Sequence, residues 1–221
     1  MSLTIKQKIN SVKYFLTHPE ALKMILSFKE SGYLYEVGWF RSLEEKKPVD
    51  KDGNPIPWFT YPAIDFLKDR LNKDMVVFEY GSGNSTLFFA ERVKEIISVE
   101  TNREWYNKIK SNLKSNCKLI FYDNKSADYK YSETIKQFSR KFDLIIVDAL
   151  DRNEVIKMAL ENINQSGVLI LDNSNVEDYK IGIEYLMAKG FKKLDFWGIQ
   201  AAYINRTCTT IFYKPDNCLG I

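Results

Sequence analysis

The chain has one histidine, His18, and three cysteines, Cys117, Cys208 and Cys218, with no C-x-x-C spacing. Zinc centres need clustered His and Cys ligands, and disulfide frameworks need paired cysteines, so neither is expected. Unpaired thiols suit a reducing compartment, which makes the cytoplasm the expected location. His18 falls in a helix cap far upstream of any motif, and no catalytic role is expected of it. Long apolar runs are also missing. The first thirty residues are interrupted by Lys6, Lys8, Lys13, Glu20, Lys23, Lys29 and Glu30, leaving no signal-peptide core and no membrane span. A strong charge of one sign is lacking too: the net charge is +3 over 221 residues. That is short of a nucleic-acid-binding surface, and no D/N-P-P-Y/F base-flipping motif is present, so no nucleic-acid partner is expected. The stripe Lys110, Lys114, Lys118 reads as the solvated face of a helix.

Hydrophobic residues make up 45% of the chain, enough for a sizeable core. Ile5, Ile9, Val12 and Leu16 recur at helical spacing, and Thr17-His-Pro-Glu20 has the form of a capping box opening a second helix. Four of the six prolines crowd into KPVDKDGNPIPWFTYP, residues 47–62, which predicts an ordered but irregular loop. Ile64, Leu67 and Leu71 then mark a helix. The expected organisation is residues 1–62 as N-terminal helices plus a proline- and aromatic-rich covering loop, and residues 63–221 as the ligand-binding domain.

From residue 75 short apolar runs alternate with helical stretches: MVVFEY, IISVE, KLIFYD, FDLIIVDA and GVLILDN. Dense in β-branched and aromatic residues, they have the character of parallel strands buried on both faces. Thr101-x-x-Glu104, Asp151-x-x-Glu154 and Ser174-x-x-Glu177 are possible capping boxes for the intervening helices. Two further runs, KKLDFWGI and CTTIFYK, are too close together for a crossover helix and should pair antiparallel. The pattern predicts an α/β fold: an open seven-stranded, mostly parallel Rossmann-like sheet with a C-terminal antiparallel hairpin and helices on both faces.

Such sheets bind ligands beyond the carboxyl ends of the strands. FEYGSGNST, residues 78–86, ends the first strand and enters a helix. Gly81 and Gly83 allow close backbone approach. A dinucleotide loop would need a third glycine where Thr86 stands. Glu79-x-Gly81-x-Gly83 after strand one, Glu100 ending strand two and the terminal hairpin together resemble class I S-adenosylmethionine (SAM)-dependent methyltransferases over roughly residues 60–214. The resemblance implies a cofactor site of Glu79, Tyr80, Gly81, Ser82, Gly83 and Ser85, with Glu100 on the ribose hydroxyls, Asp123 beside the adenine and Asp148 near the reacting centre.

Methyl transfer needs alignment of the nucleophile and, often, removal of a proton. Asp148, Asp172 and Asn173 should converge at the carboxyl edge of strands four and five. This resembles the metal triad of catechol-type and caffeoyl-CoA-type O-methyltransferases, which would imply Mg²⁺. Those families carry a lysine base three residues after the first Asp, and Asp151 stands there instead. The metal-free alternative, with Asp148 as base, is therefore the expected one. Trp58 and Tyr61 in the proline-rich loop, with Asp172 and Asn173, are the candidate acceptor-binding residues. The function expected is a SAM-dependent methyltransferase acting at oxygen on a small molecule or glycan precursor. An NAD(P)-dependent Rossmann oxidoreductase and a non-catalytic interaction module are the alternatives.

Overall fold

A computed structural model of the protein describes residues 4–125 and 128–221. Seven strands form one sheet: β1 Val76–Tyr80, β2 Glu95–Glu100, β3 Cys117–Phe121, β4 Phe142–Val147, β5 Ile163–Leu171, β6 Lys192–Gly198 and β7 Thr207–Tyr213. Their order is β3-β2-β1-β4-β5-β7-β6. Strands β1 to β5 pair in parallel, while β7 pairs antiparallel with both β5 and β6. All seven expected strands are present. The sheet reverses its winding between β1 and β4, which opens a crevice at their carboxyl ends.

The sequence dictates this because both sheet faces are covered. Successive residues point to opposite sides, and both sides are apolar. Val77, Ile96, Leu144, Ile146, Val168 and Ile170 enter one buried cluster, while Phe78, Ile97, Ile145, Val147, Leu169 and Leu171 enter the other. The first cluster is capped by α5 (Tyr61–Lys68) and α6 (Asn84–Arg92), the second by α8 (Arg152–Asn162) and α9 (Lys180–Ala188). Helix α7 (Arg103–Lys110) lies beside β2 and β3.

Upstream are α1 (Ile5–Thr17), α2 (Pro19–Ser27), α3 (Tyr33–Glu36) and α4 (Trp39–Glu45). The proline-rich segment that follows is pinned, not loose. Asp50 Oδ1 accepts the amides of Asp52 and Asn54 at 2.9 and 2.8 Å, and the Thr60 amide donates to Thr209 Oγ1 at 3.0 Å. Ile56 and Phe59 share the buried cluster of the sheet.

Local expectations fared less well than the topology. Thr17 does not open α2; it closes α1, its hydroxyl donating to the carbonyls of Lys13 and Tyr14. The box at this end of the chain is Thr4 with Gln7. Helix α7 is capped by Asn102, whose side chain accepts the Trp105 amide at 2.9 Å, because the Thr101 amide is held by Glu100. Asp151 and Ser174 form no capping box either. Lys114 and Lys118 lie beyond the end of α7, in a turn and on β3, so the lysine stripe is not a helix face.

Candidate functional site

The loop between β1 and α6 is set by one glycine in particular. Gly81 has φ +104°, and a Cβ there would lie 2.5 Å from the Asp148 carbonyl oxygen. Only glycine fits that backbone against the end of β4. Gly83 is different: its φ of 165° is extended backbone, and a Cβ would make ordinary contacts with Trp105. The Trp105 indole N–H donates to the Ser82 carbonyl at 2.7 Å, fixing the loop from the α7 side.

Glu79, expected against the cofactor, is a correction. It is buried beneath the loop, accepting hydroxyl donors from Thr86 and Ser98 at 2.6 Å each. Thr86 Oγ1 in turn accepts the Gly83 amide at 3.1 Å. Thus the residue in place of a third glycine ties the loop to the buried acid. Burial raises the Glu79 carboxyl to about 7, against the opposing pull of Ser85, Ser98 and Thr86. Ser85 therefore also points at Glu79. Tyr80 is a second correction: its ring is buried and its hydroxyl donates to the Ser132 carbonyl at 2.6 Å. Glu79 anchors the loop from beneath through Thr86, while Tyr80 ties the end of β1 to the segment at Ser132.

The crevice beyond β1 and β2 is a groove of about 360 Å³ lined by Gly81, Ser82, Glu100, Tyr131, Asp148 and Arg152, among others. Glu100 is held by three donors: the amides of Thr101 and Asn102 on Oε1, both at 2.8 Å, and the Ser82 hydroxyl on Oε2 at 2.7 Å. A carboxylate has about four acceptor positions, so roughly one is left for a ligand hydroxyl. A second becomes available if Ser82 Oγ turns away. Asp123, placed beside the adenine by resemblance, accepts the Lys125 amide at 3.0 Å in a turn and is not among the groove-lining residues.

A second cavity, of about 330 Å³, adjoins the ends of β4 and β5 and is lined by Trp58, Asp148, Asp172, Asn173, Gln200 and Tyr203. Trp58 is hung from the β6–β7 connection, its indole N–H donating to the Ala201 carbonyl at 2.9 Å, and its ring stands 5.9 Å from that of Tyr203. Tyr61 is a correction. It is the first residue of α5, 2% exposed and packed in the sheet's buried cluster, so it does not line the cavity.

Asp172 is buried and accepts from Thr209 Oγ1 at 2.6 Å and from Gln200 Nε2 at 3.0 Å. Asp148 receives a guanidinium N–H of Arg152 at 2.9 Å, and another Arg152 N–H donates to the Asp172 carbonyl oxygen. Arg152 also donates to the Ala149 carbonyl at 2.9 Å and sits against the Tyr179 ring. Burial and then the neighbouring Asp148 charge push Asp172 up to about 8. Burial also raises Asp148, but Arg152 opposes it. The pair is unequal: Asp148 has the guanidinium as counter-charge, while Asp172, pushed to about 8, is the one that holds a proton near neutrality.

This arrangement does not fit the metal triad. A guanidinium already neutralises Asp148, both Asp172 oxygens accept protein donors, and the Asn173 amide points to Thr207 Oγ1 at 3.4 Å. Arg152, Trp105, Gln200, Tyr203 and Thr209 escaped the sequence reading. Arg152 alone carried a signal, lying one residue beyond the expected lysine.

No protein-family model matches the chain, and no curated protein matches it by sequence. Solved structures do match. The precorrin-6y C5,15-methyltransferase of Geobacter metallireducens superposes with a TM-score of 0.54 at 16% identity, over 69% of this chain and 87% of that one. An rRNA methylase of Streptococcus thermophilus gives 0.52 at 19% identity, over 69% and 96%. Fibrillarin of Aeropyrum pernix, solved with S-adenosyl-L-methionine natively bound, gives 0.50 at 15% identity, over 66% and 68%. With the strand order, the β7–β6 hairpin and the glycine loop, these likenesses show that the chain has the fold of the class I SAM-dependent methyltransferases.

Proposed function

We propose that the protein is a SAM-dependent methyltransferase that methylates a hydroxyl of a small polar molecule, such as a glycan precursor, without a metal ion. The observation that carries this is the position of Asp148, which lines both the groove beside the glycine loop and Glu100 and the cavity of Trp58, Asp172 and Tyr203. A group shared by two adjoining cavities is where a donor in one and an acceptor in the other would meet. The groove fits the cofactor chemically: it offers a fixed carboxylate for ribose hydroxyls and close backbone at Gly81 and Ser82.

When bound, S-adenosylmethionine supplies a methyl group activated by its sulfonium. Glu100 and the loop backbone hold and orient it from one side. In the adjoining cavity, Trp58 and Tyr203 provide rigid walls that limit the acceptor's poses, while Gln200 and protonated Asp172 offer polar contacts. Asp148, with its counter-charge supplied by Arg152, would accept the proton that the acceptor hydroxyl loses on methylation. Positioning and proton removal are the two contributions this step requires. The small cavity favours a small acceptor over an RNA strand. An oxidoreductase is disfavoured by Thr86, whose side chain fills the third-glycine position beneath the loop.

The test is release of S-adenosylhomocysteine from SAM with a panel of sugars, nucleotide sugars and phenols, run with Mg²⁺ and with EDTA. Turnover of a hydroxylated small molecule in EDTA is expected. Turnover only with Mg²⁺ would sink the metal-free assignment, and turnover only on RNA would sink the acceptor assignment.

A further inference from the structure

Helices α1 and α2 bury no residue at all, in contrast to the helices that flank the sheet. Yet α1 is amphipathic. Ile5, Ile9, Val12 and Leu16 are 59–79% exposed, and at 3.6 residues per turn they fall within a sector of about 60°. Lys6 and Lys13 flank that stripe on one side and Lys8 on the other, each roughly 70–90° from its centre. Beside it, α2 exposes Leu22, Met24, Ile25 and Leu26. From Thr4 to Lys29 there are five lysines and one acid, Glu20. Among the described residues Lys29 pairs with Glu44, while Lys6, Lys8, Lys13 and Lys23 have no carboxylate partner.

We infer that the α1–α2 segment docks on an anionic lipid surface, lying in the membrane interface with the α1 stripe inserted and the flanking lysines at the headgroups. A solvated helix has no use for an apolar stripe this narrow, and a core helix would not frame it with unpaired ammonium groups. Interfacial helices have both features: apolar side chains at the acyl boundary, and long lysine stems that carry charge up to the phosphates. The charge also selects among occupants. A second copy of α1 would bring its own lysines to the same seam, and α1 has no acid to meet them, whereas anionic headgroups complement Lys6, Lys8 and Lys13. No described helix is long and apolar enough to cross a membrane.

The experiment is flotation of the full chain with vesicles of phosphatidylcholine containing phosphatidylglycerol, compared with vesicles of phosphatidylcholine alone. Binding to the anionic vesicles, lost at high salt, is expected. Charge reversal of Lys6, Lys8 and Lys13 together should weaken it by about a hundredfold or more, and I9D/V12D by about tenfold or more. Because α1 buries nothing, both variants should unfold thermally like the native chain, which separates lost docking from lost folding. Absence of binding, or equal binding to neutral vesicles, overturns the inference. So does a dimer in sedimentation equilibrium that I9D abolishes.

Discussion

The two halves of the ligand edge handle their carboxylates in opposite ways. On the β1–β2 side, Glu79 and Glu100 are held by neutral donors, hydroxyls and backbone amides. On the β4–β5 side, Asp148 is held by a guanidinium and lies close enough to Asp172 to raise that carboxyl's pKa. Neutral donors fix a carboxylate's geometry without supplying a counter-charge. A shared cation and a neighbouring acid instead set which group is charged. One half is suited to grip hydroxyls and the other to move a proton, and Asp148 lies where they meet.

The comparison breaks most visibly at Asp148 itself. D148N should lower kcat by about a hundredfold to ten-thousandfold, the range for a lost general base, while the affinity for SAM changes little. Equal losses of rate and affinity would make Asp148 a cofactor ligand and not a base. Replacing Arg152 with Met should cost roughly 3 kcal/mol or more in urea unfolding, because one partner of a largely buried pair is left uncompensated. The same change should move the acid limb of the pH–rate profile upward, since Arg152 is what opposes the burial-driven rise at Asp148. R152K should restore part of both.

Glu79 sharpens the other half. Its folded pKa is raised above the unfolded value, to about 7, so its contribution to stability is full below about pH 4 and is lost as pH rises through 7. Asp172, raised to about 8, acts in the same direction. Unfolding free energy should therefore fall between about pH 5 and 9, with roughly 3 kcal/mol of the fall due to Glu79. E79Q should remove that share; a slope unchanged by E79Q would show that Glu79 is ionised in the folded state throughout.

What could be read in advance follows the range of the interactions. The strands, their order at the hairpin and the glycine loop are encoded in contiguous runs, and they were legible. The place of Glu100 at the end of its strand was legible for the same reason, two of its three donors lying one and two residues away. Asp172 was legible as a position but not as a chemical state, because its pKa depends on Asp148, Thr209 and Arg152 from other segments. Gln200, Tyr203 and Trp105 reach the site through bonds across the fold, which no local spacing marks. The capping boxes failed where a strand-end acid or a tight turn had already engaged the groups a cap would use, as at Thr101. Tyr61 was not legible because an aromatic in a proline-rich loop can face the crevice or the core, and here it is the first residue of α5 and packs in the core.

The most direct measurement is a calorimetric titration of S-adenosylmethionine into the native chain and into E100A, each in EDTA, with NADH as the competing ligand. The account predicts saturable one-to-one binding of SAM by the native chain, weakened about tenfold or more in E100A, as expected for losing charge-assisted hydrogen bonds worth about 1.5–3 kcal/mol. Binding of NADH in preference to SAM, or identical SAM affinity in E100A, would contradict it.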